Sequence, residues 1–143
     1  MAIIGMDLST EKTFVFSGDP DKGTDKATKF RYSTLDSRIL GILQDKATSV
    51  KVNPSAPDED VDTQINSKAF QFEVVQFGCK GWDNLKDGKG NDIEYETIKL
   101  NRGGKSYRVV DPDTLARVPR IVLEEFAEKI MSANELTEDE GNA

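Results

Sequence analysis

A small α+β domain is what this sequence predicts, with N-terminal strands, two central helices, a β-hairpin and a C-terminal amphipathic helix. Three observations carry the prediction. Short runs near the start and again over 93–110 alternate apolar and polar residues, as half-buried strands do. Between and after those runs, apolar residues recur at helical spacing. At 143 residues, 36% hydrophobic and 31% charged, the chain has the length of one ordinary domain with a small core and a large wetted surface.

The elements follow in order. Thr13 to Ser17 and Lys29 to Tyr32 read as strands, with Phe30 and Tyr32 on one face and the turn signal Asp19-Pro20-Asp21-Lys22-Gly23 between them. Over 34–44, Leu35, Ile39, Ile42 and Leu43 define a helix that Ser33 or Thr34 would cap. Ser49 to Val52 alternate as a short strand. Ser55, Asp58 and the acidic cluster around them then signal the start of a long helix over 57–78. Its stripe runs through Val61, Ile65, Phe72, Val75 and Cys79. A strand over 69–77 competes, because Phe70, Phe72 and Val74 also alternate.

A dense turn segment, 81–94, follows. Trp82 is read as its core anchor, beside Gly81. Strand patterns at 93–100 and 106–110 flank Asn101-Arg102-Gly103-Gly104, a hairpin turn. Asp111 and Pro112 open the last helical region, whose stripe is Leu115, Val118, Val122, Phe126 and Ile130, with Phe126 structural. Pro119 either kinks this helix or marks its first turn, and Asn134 is placed to end it. The expected organisation is a single domain over 1–134 and an acidic tail over 135–143, which forms at most a short capped turn.

Composition excludes several chemistries. The chain has no histidine, which removes the usual zinc sites, the Ser-His-Asp triad and the commonest general base. Its single cysteine, Cys79, permits no internal disulfide, falls on an apolar stripe and reads as structural. No signal-peptide pattern opens the chain and no apolar run approaches a membrane span, so an intracellular protein is expected. The net charge of −7 disfavours contact with nucleic acid or anionic membranes. The best basic patch, Lys99, Arg102, Lys105 and Arg108, reads as a solvated hairpin end. Carboxylate pairs such as Glu94 and Glu96 are expected by chance in so acidic a chain. No catalytic residue and no cofactor are predicted.

One partial metal motif is present. Read as a calcium loop from Asp83, the segment supplies Asp83, Asp87, Asn91 and Glu94 at ligand positions and Gly88 at the turn. Leu85 replaces a ligand and Gly90 the apolar contact residue, and the flanks are not two helices. A weak calcium-binding domain is therefore an alternative, and a polar turn is the main reading.

From about residue 72 the chain resembles small proteins of tailed-bacteriophage morphogenesis regions, tail assembly chaperones and head or tail accessory proteins among them. The matching stretches are Phe77-Gly78-Cys79-Lys80-Gly81-Trp82-Asp83-Asn84-Leu85, Asp87-Gly88-Lys89-Gly90-Asn91, the helix 121–130 and the ending 134–142. The resemblance implies a non-enzymatic virion or assembly protein, located in the virion or in the host cytoplasm during assembly. Its partners would be other phage structural proteins in a homo- or hetero-oligomer, with no direct nucleic acid and no membrane. Expected contacts are Arg102 and Lys105 at the hairpin end, Asp58, Glu59 and Asp60 in the acidic loop, and the C-terminal helix and tail. The alternative from charge alone is an acidic DNA mimic that inhibits a host defence nuclease.

Overall fold

The computed structural model describes the backbone of residues 3–49 and 59–142 and the side chains of 3–47 and 67–135. The architecture is α+β. β1 (Lys12–Phe14) and β2 (Lys29–Tyr32) form the expected N-terminal antiparallel pair, and β3 (Cys79–Asp83) adds to β2 in the order β1-β2-β3. Register places Phe14 opposite Phe30 and Phe30 opposite Trp82, so one row of aromatic rings crosses the sheet on its core face.

Helix α1 (Ser37–Ser49) buries Ile39, Leu40 and Leu43. Its cap differs from expectation: neither Ser33 nor Thr34 serves, and the Asp36 carboxylate accepts from Ile39 N at 2.8 Å. Ser49 closes α1 rather than opening a strand, and residues 50–52 lie outside the described residues. So do Ser55 and Asp58, the expected cap of the long helix.

Helix α2 (Glu59–Gly78) settles the competition over 69–77 in favour of helix. It stops earlier than its apolar stripe, because Cys79 already belongs to β3. The helix ends at Gly78, where the sequence places it, and the strand at 79–83 overturns the reading of Gly81 and Trp82 as turn residues. That strand exists because β2 supplies its hydrogen-bond partners from some fifty residues away in sequence.

The clearest hairpin is β4 (Thr97–Arg102) with β5 (Lys105–Val110). Gly103 and Gly104 both have positive φ, +57° and +79°, the signature of a type I′ turn. The expected strand at 93 begins only at Thr97, since Ile93 and Tyr95 bond to other parts of the chain. The Val110 carbonyl accepts from the buried Gln76 side chain at 3.1 Å, joining the hairpin to α2.

Asp111 caps α3 (Pro112–Leu115), with Pro112 in its first turn. Pro119 does not kink α4 (Arg120–Asn142) but precedes it, and its carbonyl accepts from Val122 N and Leu123 N. Helix α4 passes Asn134 without ending and continues through the acidic tail to Asn142, against the expectation of a stop and a short turn. Asn134 is 1% exposed. Its amide accepts from Leu35 N (3.1 Å) and donates to Leu35 O (3.0 Å), so it serves as a core clamp.

Phe126 is fully buried on α4. It stacks on Phe14 at 4.7 Å, lies 5.1 Å from Phe30 and meets Tyr32 edge-on at 5.7 Å. Burying one such ring stabilises the fold by roughly 1.5–3 kcal/mol. Gly78 lets the end of α2 approach α4, since a Cβ there would come 2.9 Å from Ile130 Cδ1.

Candidate functional site

The loop over 84–96 is fastened by its aromatic residues. Trp82 donates its indole N–H to the Ile93 carbonyl at 2.7 Å and meets Tyr95 edge-on at 5.0 Å. Tyr95 donates its hydroxyl to Cys79 O at 2.8 Å. Trp82 thus fastens the loop to β3. The Arg31 guanidinium occupies the space a Gly81 side chain would need, and it pairs with Asp83 at 2.8 Å.

The Asp87 carboxylate accepts from Asn91 N (3.0 Å) and Lys89 N (2.8 Å), which hold its pKa below the usual carboxylate range. Lys86 pairs with Asp92. The calcium candidates Asp83, Asp87, Asn91 and Glu94 are therefore not gathered. Among the described residues, no group of three or more His, Cys, Asp or Glu is placed to hold a metal ion.

Cys79 is buried, and desolvation pushes its thiol up to about 12. Its S–H points at Gly81 O, 3.6 Å away. A thiol this far above neutrality supplies no nucleophile.

At the hairpin end, Arg102 and Lys105 face each other across the turn. Lys105 is committed internally: its Nζ lies 3.3 Å from Asp36 Oδ2 and 5.0 Å from the Tyr107 ring centre. Tyr107 also donates to Asp36, at 3.0 Å. Burial raises the Asp36 pKa, but the bonds from Ile39 N, Tyr107 and Lys105 together outweigh it and hold the carboxyl below its usual range. The Gly103 carbonyl accepts from Arg38 at 3.4 Å. The hairpin end is therefore seated on α1, and Arg102 is left to bond its own neighbour, Asn101 O, at 3.0 Å.

Asp58 lies outside the described residues, and Glu59 and Asp60 are described only as the backbone of the first turn of α2.

Sequence reading passed over the segment before β1. Ile3 is 84% exposed, Ile4 68% and Leu8 44%. The segment has no regular structure from residue 3 to β1, and the Asp7 carboxylate fastens it locally by accepting from Ser9 N (3.0 Å) and Thr10 N (3.2 Å). Ser37 donates to the Met6 sulfur at 3.5 Å, tethering the arm near α1. The adjacent pair Ile3-Ile4 is the signal in the sequence. A cleft of about 320 Å³ has Phe16, Leu85, Val118 and Val122 among its walls. Ile121, beside that wall in sequence, is 62% exposed.

No family model, curated protein or solved structure matches this chain. Among the described residues, no helix is long and apolar enough to cross a membrane.

Proposed function

We propose that this chain is a non-enzymatic bacteriophage structural or assembly protein that works through protein–protein contacts in a homo- or hetero-oligomer. The observation that carries the reading is the N-terminal arm, which leaves Ile3, Ile4 and Leu8 exposed to water. Scattered exposed apolar residues are ordinary, but three on one irregular segment of a −7 protein make a cohesive handle for a neighbour. The arm leads directly into β1, an edge strand, so a partner that grips the arm also meets unpaired backbone groups. The glycine–tryptophan segment and the terminal helix, on which the resemblance to phage morphogenesis proteins rests, add support as rigid parts of the body that carries the arm.

The test is genetic and compositional. Mass spectrometry of purified particles should find the chain, or deletion of its gene should leave unfinished heads or tails in electron micrographs. Complete, infectious particles that lack the chain and form normally without it would overturn the proposal. An inhibitor of a defence nuclease would give that second outcome, together with protection of phage DNA.

A further inference from the structure

Ser33, Thr34 and Lys80 come together in a cavity of about 160 Å³ at the start of α1. Ser33 is 3% exposed and Thr34 8%, and both line the cavity. Among the described residues neither hydroxyl has a hydrogen-bond partner. Both residues are otherwise enclosed, so the cavity is where these hydroxyls can find a partner, and a polar ligand there can supply one. The backbone holding them is fixed: Ser33 N donates to Gly78 O at 3.0 Å, and the Asn134 amide clamps Leu35.

Lys80 supplies the charge. Its ammonium donates to Phe77 O at 3.2 Å, and among the described residues no carboxylate lies within ion-pair distance of it. Loss of hydration lowers its pKa, while the Cys79 thiol, Glu11 and Asp36 act to raise it. Lys105 and the Tyr107 hydroxyl also line the space, but both are engaged by Asp36. Among the residues that line the cavity, two ammonium groups face one carboxylate, while Glu11 lies outside the lining and pairs with Arg31 at 3.9 Å. That balance suits a monoanion better than a phosphate dianion, which would be repelled by Asp36. Leu8, Leu35, Ile39 and Phe77 supply apolar wall.

We propose that this cavity binds a small carboxylic acid, its carboxylate held by the Lys80 ammonium and the Ser33 and Thr34 hydroxyls, its short apolar part against Leu35, Ile39 and Phe77. Leu8 lies at the same cavity, so the ligand also touches the arm. The site does not depend on the assembly reading.

The test is an NMR titration of the full chain with acetate, butyrate, inorganic phosphate and chloride at matched ionic strength. Acetate and butyrate should give saturable shifts confined to the amides around the cavity, those of Leu8, 33–39, Phe77, Lys80, Lys105 and Tyr107. Butyrate should bind more tightly, by about fourfold for each CH₂ it buries. Lys80→Met should weaken binding about tenfold or more, and Ser33→Ala with Thr34→Val should weaken it without changing the spectrum of the sheet. Shifts from acetate and butyrate no larger than those from chloride would overturn the proposal, as would tighter binding of phosphate than of butyrate. The wild-type shift map decides the matter even where a variant fails to fold.

Discussion

Asn134 uses both halves of its amide on one residue, Leu35, across 99 positions of sequence. A polar side chain on the buried face of a helix is costly unless fully bonded, and here it is. Asn134→Ala would leave both the N–H and the C=O of Leu35 without a partner, at about 1–3 kcal/mol for each orphaned group. Asn134→Asp keeps the acceptor but sets a carboxylate against the Leu35 carbonyl, so it should not rescue the loss. Urea unfolding of the two variants checks this; a midpoint unchanged in Asn134→Ala would mean that water replaces the clamp. The same side chain shows a limit of reading residues singly. Asn is a common helix terminator, and nothing local distinguishes an Asn that ends a helix from one that pins it to a distant loop.

At the scale of elements, the hairpin turn gives the sharpest expectation. Gly103 and Gly104 both sit in the left-handed region, where a side chain costs about 1–2 kcal/mol. Only Gly103 is also crowded, since its Cβ would come 2.8 Å from Ile42 Cδ1 and 3.3 Å from Arg38 Cδ, whereas Gly104 faces open space. Gly103→Ala should therefore destabilise more than Gly104→Ala in thermal melts, and should speed hydrogen exchange at the β4–β5 pairing and in the first turns of α1. Equal losses would show that the hairpin is not seated on α1. This hairpin was legible because its strands and glycine turn lie together in sequence. β3 was not, because residues 79–83 follow a helix without a linker and are strand only by pairing with β2. The ambiguity over 69–77 also has a cause: Val74, Val75, Gln76 and Phe77 are all buried, so this end of α2 is enclosed on several sides and its stripe is too wide to show a period. The carboxylate cavity has no local signal at all. Its parts come from the β2–α1 connection, the start of β3 and β5, which only the fold brings together.

For the whole molecule, the buried acids and phenols set the pH range of stability. Cys79 is neutral when protonated, and burial raises its pKa from 9.0 to about 12. Below 9 the folded and unfolded states both hold the proton, and its stabilisation is fully present. Above 9 the unfolded chain releases the proton first, so stability falls with rising pH until the folded thiol ionises near 12. Tyr32, Tyr95 and Tyr107 are raised in the same direction by burial, and extend the decline above pH 10. Cys79 and Tyr95 are bonded through the Cys79 carbonyl, and charge on either opposes charge on the other, so their ionisation within the fold is mutually inhibited. Lys80 works in the opposite sense, because its lowered pKa means that deprotonation favours the folded state. At the acid end, Asp36 has a depressed pKa: its contribution is present above the ordinary value of 3.8 and is lost as pH falls through the folded value. The urea midpoint should therefore be flat near neutrality, fall above pH 9 and fall again in acid. Cys79→Ala should lower the plateau by leaving a cavity and also flatten the first part of the alkaline slope, between 9 and 10, while Tyr95→Phe flattens the part above 10. The slope separates the two effects of the cysteine substitution, because a cavity lowers stability equally at every pH. An alkaline slope identical in wild type and Cys79→Ala would show that the thiol is hydrated in the folded state.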